Sequence, residues 1–285
     1  MVKRGNIFNL LVRNVQPTLC HSELGSESIS KQTLNQVQGD RGKNIPSPRK
    51  MLMERGRYAF TLAEILITIG IIGVVSALTI PNLITNYQKR QTAEQLKKVY
   101  ATIVNAVKLS EIDNDDMSGW NYPEGLSANR DWEIAAKFIK QYYQPYLKGS
   151  TLYKFSDLQA SYGEDWNRLK NMPGVSNALV LADGTMLSFF FNYVQSSNGG
   201  YIWLFVDLNG AQRPNKVGRD IFVLEASPSK DYGGSKIIFF NYQDRNLIDG
   251  SDYSCNKNNT GIYRNYYCGR VIQKNNWKIP KDYPW

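Results

Sequence analysis

Histidine is almost missing from this chain: His21 is the only one, so residues 60–285 contain none. That excludes a histidine-based catalytic triad and any histidine-ligated zinc or haem site from the body of the protein. Cysteine is nearly as scarce. Cys20 lies upstream, leaving Cys255 and Cys268 in the body. Two thiols are too few for an all-cysteine metal site but enough for one disulfide, which belongs in an oxidising compartment. The body also lacks a nucleophile elbow, a phosphate-binding glycine loop and an internal repeat, so no enzymatic chemistry is indicated. Charge of one sign is missing there too. The formal charge of +9 arises mostly in residues 1–59, with ten Lys/Arg against four Asp/Glu; the remainder holds 24 against 21. No nucleic-acid partner is required by such a balance.

What is present reads as a folded protein, with 42% apolar and 21% charged residues over a length of 285. Residues 1–59 read as a leader. The stretch His21–Lys50 is polar and free of Phe, Trp and Tyr, a composition that favours disorder, and Met51 and Met53 are the expected start points of translation. From Phe60 to Ile80 the chain reads FTLAEILITIGIIGVVSALTI, with Glu64 as its one charge. As a helix this segment is about 31 Å long, the thickness of a bilayer's hydrocarbon core. Twelve of its residues are Leu, Ile, Val or Phe, contributing about −4 to −7 kcal/mol to insertion, against about +3 for one central charge. The segment is expected to span a membrane.

Helical periodicity continues through Ala93, Leu96, Val99, Tyr100, Ile103 and Val107, so an amphipathic stalk is expected over residues 81–112, ending at the run Asp113–Asp116. Residues 113–285 are expected to form a globular α+β head. A second helix is predicted over Trp132–Leu147. Beyond Pro173 strands are predicted at Ala178–Leu181, Met186–Tyr193, Tyr201–Val206, Ile221–Leu224 and Lys236–Tyr242, the first two joined by a two-residue hairpin at Asp183-Gly184. The fold class is thus a long N-terminal helix packed on a mainly antiparallel sheet. The tail from Ser251 reads as loop held by the Cys255–Cys268 pair, whose closure stabilises by roughly 3 kcal/mol.

The string Ala59-Phe60-Thr61-Leu62-Ala63-Glu64 before the apolar run resembles the cleavage and methylation signal of type IV prepilins, a family that includes type II secretion pseudopilins. The match covers roughly residues 55–90: a basic leader end at Arg55-Gly56-Arg57, a small residue before Phe60, and an acid four residues after it. Where the family usually has Gly, this chain has Ala59. Gly56 cannot substitute, because cleavage there would put Thr61 at the acid's position. The resemblance implies cleavage by a prepilin peptidase between Ala59 and Phe60 and N-methylation of Phe60. It further implies that Glu64 pairs with the new amine of a neighbouring subunit, an exchange of one costly lone charge for a pair. Pro81 stands where family members often interrupt the helix, and proline both removes a donor and clashes with the carbonyl four residues back. The expected function is a filament subunit that assembles with like pilin subunits, anchored by one pass in the cytoplasmic membrane with its head outside. The alternative is a membrane-anchored binding module, a DNA-uptake pilin or adhesin. The segment Asp207–Asp220 also resembles a loop of secretion pseudopilins; Asp207, Asn209 and Asp220 are its candidate calcium ligands. A plain turn-rich connection is the competing reading, since Lys216 and Arg219 reduce its negative charge.

Overall fold

The computed structural model describes residues 60–158, 176–192, 201–210, 212–228, 236–240 and 246–285. Its first element is a single 53-residue helix, α1 (Leu62–Asn114). The stalk periodicity is realised: Ala93, Leu96, Val99, Ile103, Ala106, Val107 and Ser110 form its buried face. The helix stops where expected, with Asp115 at positive φ as its C-cap. Pro81 does not break the helix, which is continuous through that residue. Proline is tolerated inside apolar spans where hydroxyls and local adjustments meet the freed backbone groups. The Thr85 hydroxyl donates to the Pro81 carbonyl at 2.9 Å, one turn on.

A short helix α2 (Gly125–Arg130) leads into α3 (Trp132–Tyr142). The sequence reading carried α3 on to Leu147. It ends at Tyr142 because Pro145 cannot supply a helical donor, and Gln144–Tyr146 tighten into a 3-10 turn instead. Strand β1 (Thr151–Lys154) and the one-turn helix α4 (Phe155–Leu158) follow, neither foreseen.

The sheet is an antiparallel meander, β1-β2-β3-β4-β5-β6, with each strand beside its sequence neighbour. The strands are β2 (Asn177–Val180), β3 (Met186–Asn192), β4 (Tyr201–Asp207), β5 (Ile221–Ser227) and β6 (Lys236–Phe239). The β2–β3 hairpin differs from the expected two-residue form. A turn closed by the Gly184 N–H on Leu181 O (3.0 Å) is followed by Gly184 at φ +86, and Leu181 N–H donates to Thr185 O (2.8 Å). Three residues therefore make the loop, with glycine at the left-handed position such a loop needs.

The central strands are buried on both faces, which is why they read as continuous apolar runs rather than alternating ones. One face carries Phe191, Leu204, Leu224 and Phe239 and packs on α1 and α3. There Tyr100 stacks on Phe239 at 4.9 Å, and Phe138 meets Phe191 edge-on at 5.4 Å. The other face carries Trp203 and Phe205 and is covered by Phe240 and Tyr266. The tail, expected as loop, contains a helix, α5 (Cys268–Lys274), that buries Val271 and Ile272. The head is thus α+β in three layers, the last built from aromatic residues of the tail.

Candidate functional site

The residues expected to act in processing and assembly lie at the helix start. Ala59 is outside the described residues; Phe60 is 81% exposed. Thr61 is extended and is the N-cap of α1. Its hydroxyl accepts from the Glu64 main-chain N–H at 3.2 Å, while Glu64 Oε2 accepts from the Thr61 N–H (2.8 Å) and the Thr61 hydroxyl (2.9 Å). This reciprocal capping box satisfies donors that a helix N-terminus leaves open and sets a carboxylate at its positive end. Thr61 was not singled out by the sequence reading, although the Thr-x-x-Glu spacing before an apolar run is a recognisable sign of such a cap. Beyond the cap, the most apolar stretch of α1 buries nothing against the rest of the protein. Leu62, Leu66, Ile72, Leu78 and Leu83 all stand exposed. Such a surface requires a membrane or a partner.

Cys255 and Cys268 are bonded, with their Cα atoms 4.8 Å apart. The bond joins the turn after Tyr253 to the first residue of α5, and both cysteines are buried. Gly218, at φ +87, lies so close that a Cβ there would sit 3.0 Å from Cys268 Sγ. The Tyr283 hydroxyl donates to the Gly218 carbonyl. Loop 207–220 and the disulfide therefore pack as one unit.

That loop is held shut by its own side chains. Asp220 is buried and accepts from two main-chain donors, Asn215 N–H on Oδ2 (2.7 Å) and Lys216 N–H on Oδ1 (2.6 Å). Burial raises its pKa, opposed by these amide donors. With its amide turned to meet its neighbours, Asn215 donates to Gln212 O (2.7 Å) and Gly210 O (3.0 Å). Asp207 Oδ1 accepts from the Asn209 N–H at 3.2 Å. Among the loop's described residues, Asn209 Oδ1 is a buried acceptor without a hydrogen-bond partner. Calcium takes six to eight oxygens, and among the described residues no three acidic or thiol ligands gather. Asp220 and Asp207 thus spend on the loop's own amides carboxylate oxygens that a cation there would need.

A family model described as a family of unknown function (DUF6613) matches residues 82–285, and the chain belongs to that family. No curated protein matches the chain, and no solved structure does.

Proposed function

We propose that this member of the family is a structural subunit of a type IV pilus-like or type II secretion pseudopilus filament. The observation that carries the reading is the Ala59-Phe60 junction followed by Glu64 and an exposed apolar helix that runs unbroken into the stalk of a folded head. A prepilin peptidase cleaves after Ala59, and Phe60 becomes the N-methylated first residue. The subunit waits in the cytoplasmic membrane through residues 60–80, with the head outside, where a bonded cysteine pair persists. On assembly the apolar helices leave lipid for one another, and Glu64 exchanges its own helix cap for the charged amine of a neighbour's Phe60. The head contributes rigidity and outer surface rather than chemistry.

Intact-mass spectrometry of the protein from its native membrane tests the processing step. A mature chain starting at N-methylated Phe60 is expected. A chain starting at Met53 or earlier would remove the filament reading's main support.

A further inference from the structure

Just above the apolar part of α1, the fold gathers basic side chains that the sequence scatters over more than a hundred residues. A cleft of about 530 Å³ separates Gln88, Gln91 and Gln95 of α1 from Arg213 and Arg219 of loop 207–220, with Trp285 also in its wall. Lys89 and Arg219 both lie over the Trp285 ring, at 5.9 and 5.2 Å from its centre. Lys257 and Arg264 line a second cleft that shares Trp285. Arg90 follows Lys89 on the same helix. Two acids line the first cleft, and each already has partners. Asp183 is bound to Lys98 at 3.0 Å, and Asp220 is buried with both oxygens on main-chain amides. Glu94 is the exposed acid of the next turn.

The height of this cluster along α1 identifies its partner. An ionised carboxylate with its own cap is cheapest at the water boundary, so the lone subunit settles with Glu64 rather than Phe60 at one hydrocarbon edge, four residues along from the 60–80 window, and about 30 Å of helix then places the other edge near Ile84. Tyr87 then falls at the interface, where aromatic rings concentrate, and Lys89 and Arg90 lie about 8–9 Å beyond the edge, at the level of lipid phosphates. Arg219 and Trp285 lie beside Lys89 through the shared ring contact, and Arg213 lines the same cleft, whose helical wall starts at Gln88.

We propose that this membrane-proximal face, centred on Lys89, Arg213, Arg219 and Trp285, docks on anionic phospholipid headgroups and seats the head on the membrane before assembly. Basic side chains near an anionic surface each add attraction that fades within a Debye length, and the indole ring suits the boundary between lipid and water. The proposal rests on the membrane-anchor reading of α1, and it gives the cleft's open polar floor an occupant. Extraction into a filament must break the contact, so anionic lipid also sets how readily a subunit leaves.

The test uses the full chain in vesicles of phosphatidylcholine alone or with roughly a third phosphatidylglycerol. Flotation is scored first, then amide hydrogen exchange over residues 212–220. Floating with both vesicles, with exchange slowed about fivefold only in the anionic ones, is expected. The slowing should vanish in about 0.5 M salt and in the Arg213→Gln/Arg219→Gln variant. Floating with equal exchange in both vesicles overturns the docking surface and leaves the anchor intact. Failure to float with either removes both. Protection that survives salt and the double substitution, or that inorganic phosphate reproduces in neutral vesicles, also overturns the lipid assignment.

Discussion

Thr61 and Glu64 satisfy each other across the first turn of α1, the hydroxyl on one N–H and the carboxylate on the other. A lone subunit in a membrane therefore does not hold a bare carboxylate at the end of its span. On the proposed filament reading, assembly is an exchange of partners rather than the burial of an unmet charge.

Glu64→Gln separates the two roles. Glutamine also closes a capping box, so helix start and membrane insertion should stay normal. The charge-assisted contact to a neighbour disappears, a loss of about 2–5 kcal/mol per junction. Sheared-filament yield should fall at least tenfold at unchanged membrane levels. Wild-type yield from the variant would show that Glu64 does not pair between subunits.

Asn129 hydrogen-bonds the main chain of β3. Its Oδ1 accepts from Phe191 N–H (2.8 Å) and its Nδ2 donates to Phe191 O (2.7 Å), both buried. Among the described residues the β2–β3 ladder is registered at Leu179–Leu187 and Val180–Met186. Asn129→Ala leaves two buried main-chain groups unpaired and should cost about 2–4 kcal/mol. The urea midpoint of detergent-solubilised protein reads it, and an unmoved midpoint counts against the contact.

The cysteine pair closes a 13-residue separation. Non-reducing peptide mapping should link Cys255 to Cys268, and replacing both with Ala should lower stability by about 3 kcal/mol. Two thiols open to alkylation in unreduced native protein would contradict the bond.

Glu225 on β5 supplies a pH dependence. Burial pushes its pKa up to about 7 from an ordinary 4.5, with Lys236 pulling the other way. The folded state holds the proton more tightly than the unfolded one. Its contribution is therefore full below pH 4.5 and is lost as pH rises to about 7. Glu225→Gln should leave stability near wild type at low pH and raise it above pH 7, by on the order of 3 kcal/mol at most. A difference that does not change with pH would mean the carboxylate is already well solvated.

The long helix and the sheet were legible because each has a local cause. Apolar residues at spacings of three and four fixed the buried stripe Ala93–Val107, and the short apolar runs at Met186, Tyr201 and Ile221, set off by turn residues, read as strands; that both their faces are covered is seen only in the fold. Strand β1 and helix α5 were missed for the opposite reason. Thr151–Lys154 is short and half exposed, and pairs only because β2 lies beside it. Cys268–Lys274 is held as a helix by burial of Val271 and Ile272 and by the disulfide, not by a strong pattern of its own.

By itself the sequence determined the apolar span, the acid four residues after Phe60, the stalk's buried face and the single pair of body cysteines. These depend on spacing along one chain, and spacing is what a helix or a short loop converts directly into geometry. Only the tertiary structure decided that Asp220 spends its oxygens on Asn215 and Lys216, and that α1 continues through Pro81. It alone brought Arg213, Arg219 and Trp285 to one cleft and set Lys89 over the Trp285 ring. Those outcomes depend on which distant groups compete for the same donor or the same space, and that competition exists only once the chain has packed.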